Sequence, residues 1–324
     1  MNIVQSIIEL LGGLGLFLFG MNLMSTSLEK IASGKLKYLL QKLTQNKYIG
    51  VLLGTFVTAI IQSSGATTVM LVGFVNSNLM TLEQSIGVLM GANIGTTVTA
   101  QLISLDLSFI TPLVIGISSI GYLLVKNSKR KNIFLILLGF GILFLGMNTM
   151  SEAMSPLTSS TIFTNILKTI DNNVFLGIVI GIVITTIMQS SSASTGVLIA
   201  LASTGSITLS IALPIILGCN IGSCSTTLLS TIGAHKVAKR TALIHLLFNI
   251  IGVLITIPFM NLLCSFVQFI SPLSIERQIA NIHTIFNILT TIILLPFTNM
   301  LAKLSTKLIP DAKQIYSSTK SIES

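Results

Sequence analysis

Two strings of amides and hydroxyls stand inside otherwise apolar sequence. Gln62-Ser63-Ser64, followed by Thr67 and Thr68, is one, and Gln189-Ser190-Ser191-Ser192, followed by Thr195, is the other. Downstream of each lies a second polar string: Asn93, Thr96 and Thr97, then Asn220, Ser223 and Ser225. Polar groups in such surroundings cost free energy unless they find partners. Brought together, these side chains would line a cavity of defined chemistry. Hydroxyl and amide oxygens, with freed backbone carbonyls, are hard ligands suited to sodium. Hydroxyl hydrogens, amide NH₂ groups and backbone N–H groups at helix starts suit an oxyanion. Gly65, Gly91, Gly95, Gly218 and Gly222 stand beside the polar strings. Tight turns and close approach of backbone to ligand would use glycine there.

A lone Ser-Ser pair in an apolar helix is ordinarily a packing feature. What raises this one is repetition. Gly54-Thr55-Phe56-Val57-Thr58-Ala59-Ile60-Ile61-Gln62-Ser63-Ser64 recurs in the second half as Gly181-Ile182-Val183-Ile184-Thr185-Thr186-Ile187-Met188-Gln189-Ser190-Ser191. Gly91-Ala92-Asn93-Ile94-Gly95 recurs as Gly218-Cys219-Asn220-Ile221-Gly222 at the same offset. Upstream, Gly20-Met21-Asn22 matches Gly146-Met147-Asn148, one position out of register. The chain is one unit written twice.

Other chemistry is less well supported. His245-Leu-Leu-Phe248-Asn249 and His283-Thr-Ile-Phe286-Asn287 repeat a His-x-x-Phe-Asn spacing. That spacing sets His and Asn on one helix face. A proton relay or gate is one reading; a hydrogen bond between helices is the plainer and favoured one. Ser63, Ser64, His245 and His283 raise the thought of a hydrolase, but no orienting acid is evident and the serine cluster is doubled, so no enzyme is expected. Cys219, Cys224 and Cys264 lie in apolar stretches. They lack the neighbours that a metal site or disulfide framework requires.

The elements that carry these residues follow from composition. Of 324 residues, 52% are hydrophobic and only 8% charged. A soluble domain carries roughly 25% charged residues. No formal charge falls between Asp171 and His235, and only Glu83 and Asp106 fall between Lys47 and Lys126. Runs of this length are long enough for helices that cross a bilayer, which takes about 20 residues. The net charge of +9 does not form a nucleic-acid face. Sixteen of the eighteen bases cluster around Lys30–Lys47, Lys126–Lys131, Lys236–Arg240 and Lys303–Lys320. Such clusters are expected of cytoplasmic loops. The N-terminus shows no basic n-region and no cleavage site, so no removable signal peptide is expected.

The expected path starts outside. A span at 10–28 leads to an amphipathic basic segment at 30–47, and a re-entrant hairpin at 48–80 carries Gln62-Ser63-Ser64 at its tip. A span at 85–105, interrupted at Asn93-Ile94-Gly95, brings Asp106 outside, and 110–125 returns. The second unit has a span at 131–150, an outer connector at 151–172, a hairpin at 173–205, a broken span at 211–233 and a span at 241–261. A further span at 279–300 puts the tail inside. The domains are thus 1–126, an inverted copy at 127–262, an extra span within 263–302, and a polar cytoplasmic tail at 303–324. Three crossings per unit turn the second copy upside down. The expected fold is an all-α membrane protein of two inverted-topology repeats, each with a re-entrant hairpin and a broken helix, a build that places a solute site near the midplane.

The paired Gln-Ser-Ser motifs, the paired Asn-Ile-Gly strings, Gly-Met-Asn and the His-x-x-Phe-Asn repeats together resemble the bacterial sodium/phosphate cotransporter family, related to animal type II sodium-phosphate cotransporters. The resemblance spans about 10–300. It implies sodium-driven transport of inorganic phosphate, with Gln62, Ser63, Ser64, Gln189, Ser190, Ser191 and Ser192 forming the site. No cofactor is expected beyond sodium as coupling ion; the expected partners are phosphate, sodium and, from composition, lipid, with no nucleic acid and a homodimer as an open option. Two departures stand out. Gly65 replaces the third serine common in the first motif, and a polar tail follows Pro310 where many relatives continue into a PhoU-like helical domain. The residues alone leave open a sodium- or proton-coupled carrier of sulfate or a carboxylate, a channel, or a membrane scaffold without transport.

Overall fold

The computed structural model describes residues 3–43, 46–105, 107–158 and 160–311. Asp106 and the tail from 312, with Lys313 and Lys320, lie outside the described residues, as do the side chains of Lys35, Lys37 and Lys42. Among the described residues the chain is helical throughout and holds no strand. In order, the first copy contains α1 (Ile3–Leu43), α2 (Lys47–Ile61), α3 (Ser64–Asn76), α4 (Leu82–Ile103) and α5 (Thr111–Leu124). Next come α6 (Ser128–Thr158), α7 (Thr161–Asp171), α8 (Val174–Met188), α9 (Ser191–Ala202), α10 (Leu209–Gly222) and α11 (Cys224–Leu229). The chain closes with α12 (Lys236–Thr256), α13 (Met260–Ile270), α14 (Ile275–Leu294) and α15 (Thr298–Leu308), with short 3₁₀ turns at Ile257–Phe259 and Leu295–Phe297.

Six helical stretches among the described residues are long and apolar enough to cross a membrane: Val4–Ala32, Leu82–Ile103, Ser128–Met154, Leu209–Leu229, Lys236–Ile270 and Ile275–Leu308. The protein is a multi-pass, all-helical membrane protein. Phe19, Leu52, Ile187, Leu254 and Phe269 are exposed. A lipid-facing surface requires such residues. The expected span at 110–125 is the shorter α5, Thr111–Leu124, too brief to cross the hydrocarbon core unaided. The expected span at 10–28 and basic segment at 30–47 are joined in the single helix α1, Ile3–Leu43. No proline separates them, and Gly34 alone does not stop a helix.

Glycine sets how the helices approach. In α1 and α6, an added methyl on Gly13 would meet the backbone of Gly146 and Met150, and one on Gly20 that of Gly139 and Leu143. The order reverses from one helix to the other, so the two equivalent helices run antiparallel with their backbones in contact.

The second helix pairs answer a sequence expectation differently. The interruption expected at Asn93-Ile94-Gly95 is not there: α4 runs unbroken from Leu82 to Ile103. In the second copy only Ser223 separates α10 from α11, and its backbone remains helical. Gly91 and Gly95 pack against Val51 and Thr55 of α2, while Gly218 and Gly222 pack against Ile178 and Ile182 of α8. These four glycines serve helix contact rather than turns. Their Cα atoms sit where any Cβ would strike a neighbouring carbonyl.

Candidate solute site between two hairpins

Each Gln-Ser-Ser motif makes the turn of a helical hairpin. Gln62 ends α2 in the left-handed region (φ 59°, ψ 25°), and Gln189 ends α8 in the same conformation (φ 53°, ψ 23°). Ser63 and Ser190 follow in extended conformation and cap the next helix. Each hydroxyl oxygen accepts from the backbone N–H three positions on, Ala66 at 3.1 Å and Ala193 at 3.2 Å. Such a cap satisfies one of the free donors at a helix start. The residue with positive φ is therefore the glutamine; Gly65 lies within the first turn of α3. A matched pair of hydroxyls locks each hairpin. Thr58 donates to Thr67 at 3.0 Å, and Thr185 donates to Ser194 at 2.8 Å.

The two turns meet across the repeat. Thr96 Oγ1 of α4 lies 2.9 Å from Ser192 Oγ of α9, a buried contact between the first copy and the second hairpin. Thr226 of α11 touches both tips. Its hydroxyl donates to the Gln189 carbonyl at 3.2 Å, and its methyl would lie 3.2 Å from a Cβ on Gly65. Its counterpart Thr99 donates to Gln62 Oε1 at 2.8 Å. Gln62 Nε2 is satisfied by the Ala59 carbonyl. Gln62 is buried and Gln189 exposed.

A third layer involves the histidines. Thr227 Oγ1 lies 3.0 Å from Thr68 Oγ1 and 2.9 Å from His245 Nδ1, and His245 Nε2 lies 3.3 Å from Asn93 Oδ1. His245 thus ties α12 to α4 and α11. In the repeat register, Thr227 corresponds to Ala100. His283 is buried with neither ring nitrogen bonded, while Asn287 below it donates to Asn220 Oδ1 at 3.1 Å.

The expected site residues divide accordingly. Ser64 and Ser191 are the first residues of α3 and α9, and neither hydroxyl has a hydrogen-bond partner among the described residues. The buried Thr195 hydroxyl and the Ser225 hydroxyl are also unpartnered. Gln62, Thr68, Asn93, Thr96, Gln189 and Ser192 belong to the network joining the hairpins to α4, α11 and α12. Ser63, Thr67 and Ser190 bond only within their own hairpins, and Asn220 reaches α14 through Asn287. Thr97 and Ser223 do not reach it, since each hydroxyl donates to its own helix, to Ile94 and Asn220 carbonyls at 2.7 Å. Thr99, Thr226, Thr227 and Ser194 were missing from the expectation. Thr99 and Thr226 share the repeat register, a signal that extending the repeat alignment past Asn-Ile-Gly would have caught.

The sequence pattern of the Na+/Pi-cotransporter family matches this chain twice, at residues 16–152 and again at 146–275. The chain belongs to that family. The double match agrees with the duplication, and the family is one of membrane transporters, not enzymes. Over 260 residues, 80% of its length, the chain is 29% identical to the protein of Escherichia coli K12 named Putative inorganic phosphate export protein YjbB. It spans about half, 48%, of that relative's length. It is 31% identical over 256 residues to the uncharacterized protein YqeW of Bacillus subtilis, covering 79% of this chain and 83% of that one. A segment of 105 residues, 32% of the chain, is 31% identical to 15% of human sodium-dependent phosphate transport protein 2B. No solved structure matches the chain.

Proposed function

We propose that the chain is a sodium-coupled carrier of inorganic phosphate in the cell membrane, binding its solute between the two Gln-Ser-Ser hairpin tips. One observation carries this reading: two hairpins with left-handed glutamine turns, equivalent in sequence, converge on the same residue, Thr226. Each tip opens a helix whose first N–H groups lack intrahelical partners, and an anion is stabilised there. The unpartnered hydroxyls of Ser64 and Ser191 stand at those starts. Oxygens of Gln62, Ser192, Thr195 and Ser225 give the hard ligands sodium requires, and a bound cation lowers the cost of a multiply charged anion in a low-dielectric site.

The antiparallel packing of α1 on α6 and the reciprocal contacts of α9 with α4 and of α3 with α11 support an inverted-topology pair of repeats, with α2–α3 and α8–α9 as re-entrant hairpins. The basic clusters then lie in the cytoplasm, and Asp171 lies outside. The names of the relatives support phosphate as the solute, and that of the human protein supports sodium as the coupling ion.

The test is radiolabelled phosphate uptake into proteoliposomes with and without an inward sodium gradient, with sulfate and a carboxylate as competitors. Sodium-dependent phosphate uptake is expected, lost in Gln189→Ala and in Ser191→Ala while both variants stay folded. Uptake unchanged in both variants sinks the site, and uptake indifferent to sodium sinks the coupling.

A further inference from the structure

We propose that Arg277 captures phosphate in an outer vestibule before it reaches the hairpin tips. A cavity of about 540 Å³ opens where α4 and α9 end and α14 begins. Its polar wall includes Ser104, Asn148, Ser151, Ser203, Glu276 and Arg277. Ser151 Oγ lies 2.9 Å from Ser203 Oγ, tying α6 to α9 across the wall. The mouth is at the end of α4 opposite the Lys236–Arg240 cluster, since the other end of α4 faces Arg240 and Thr306.

The cavity stands above the proposed solute site on shared helices. Ser104 lies two turns beyond Thr96 on α4, about 12 Å along the helix. Ser203 lies three turns beyond Ser192 on α9, about 16 Å. The buried Ile103 and Ile199 form an apolar floor between the two levels. Gln101 Nε2 holds α14 in place, donating to Asn281 Oδ1 at 3.0 Å and Thr284 Oγ1 at 2.9 Å.

Arg277 is the charge that makes this vestibule selective. Of the eighteen bases, only Lys168 and Arg277 fall outside the four cytoplasmic clusters. Among the described residues the guanidinium has neither a carboxylate within ion-pair distance nor a hydrogen-bond partner, and the one ion pair is Arg240–Asp311 at the other end. Its neighbour Glu276 is engaged elsewhere, accepting from Ser274 Oγ at 2.7 Å. An unpaired planar fork of N–H donors at the head of a polar recess is suited to an oxyanion. The same fork would suit a lipid headgroup phosphate as well as free phosphate, so the test separates them.

This inference rests on the phosphate-carrier reading, and the experiment keeps the two apart. Uptake is measured against phosphate concentration at fixed sodium, with phosphate presented on the vestibule side. Arg277→Gln is expected to raise the apparent KM about tenfold, the lower end of what electrostatic capture supplies, with maximal rate within about twofold. Arg277→Lys should restore most of the affinity, and Glu276→Gln should lower the KM. Raising ionic strength with choline chloride should shrink the difference between wild type and Arg277→Gln, because the vestibule is open to screening.

An unchanged KM in Arg277→Gln overturns the proposal. So does a fall in maximal rate alone, or an effect that appears in phosphatidylglycerol vesicles and vanishes in phosphatidylcholine, which assigns Arg277 to a lipid headgroup. If the wild type moves no phosphate, the carrier reading fails instead. Equilibrium phosphate binding to solubilised wild type and Arg277→Gln then decides, and equal affinities overturn it.

Discussion

Thr96 and Ser192 meet hydroxyl to hydroxyl at 2.9 Å, buried, although each comes from a different copy of the repeat. The contact fastens the second hairpin to the first half. Losing the Ser192 hydroxyl leaves Thr96 Oγ1 buried without a partner, at a cost of about 1–3 kcal/mol, whereas losing the Thr96 hydroxyl leaves Ser192 Oγ the longer bond to the Thr96 carbonyl at 3.4 Å. Thr96→Val and Ser192→Ala should each impair uptake and lower thermal stability. The double variant should be little worse than Ser192→Ala alone, since the second change removes the orphaned Thr96 hydroxyl. Additive losses in a double-mutant cycle would show that the two hydroxyls do not act as a pair.

The left-handed turns separate backbone from side chain. Gln189→Gly relieves the positive φ yet removes the amide, so the variant should fold at least as well as Gln189→Ala, by up to about 1 kcal/mol. Both should fail to transport. Thermal unfolding in detergent, read beside uptake, checks both halves. Transport retained by Gln189→Gly would assign the glutamine turn a purely structural purpose.

Helix contact makes a sharper stability prediction. Gly91→Ala and Gly218→Ala drive a methyl into the Val51 and Ile178 carbonyls. Both should destabilise by several kcal/mol or prevent folding. A methyl on Gly34 would meet nothing within 4 Å. Gly34→Ala also gains helix propensity, so it should be neutral or stabilising. Yields and melting temperatures of the three variants, purified in parallel, give the comparison.

Arg240 anchors the segment that follows α15 to α12. Its Nε donates to the Ile309 carbonyl at 2.9 Å and its NH2 group to Asp311 Oδ1 at 2.8 Å. Arg240 is buried, whereas the Asp311 side chain is 74% exposed. Asp311→Asn should therefore change stability little, as exposed ion-pair partners do. Arg240→Ala should destabilise clearly, because it also strips the Ile309 carbonyl of its donor. Limited proteolysis after α15 should rise in Arg240→Ala and not in Asp311→Asn; equal cleavage would contradict the anchor.

The same residues show how far sequence carries. Hydropathy, the clustering of bases and the repeat register determined an all-helical membrane protein made of two copies, and picked out both Gln-Ser-Ser strings. These are properties of composition and spacing, which a one-dimensional reading measures directly. Asn-Ile-Gly misled it, because a glycine beside polar residues looks alike whether it breaks a helix or lets two helices touch. Only the packed structure distinguishes them, through the carbonyl that a Cβ would strike. It also decided that glutamine, not glycine, takes the left-handed turn. Thr226 joins both tips, and Thr227 gives His245 a hydroxyl partner at a position where the first copy has Ala100. Contacts between residues far apart in the chain depend on where helices cross, and that crossing is settled by side-chain volume and backbone approach across the whole bundle.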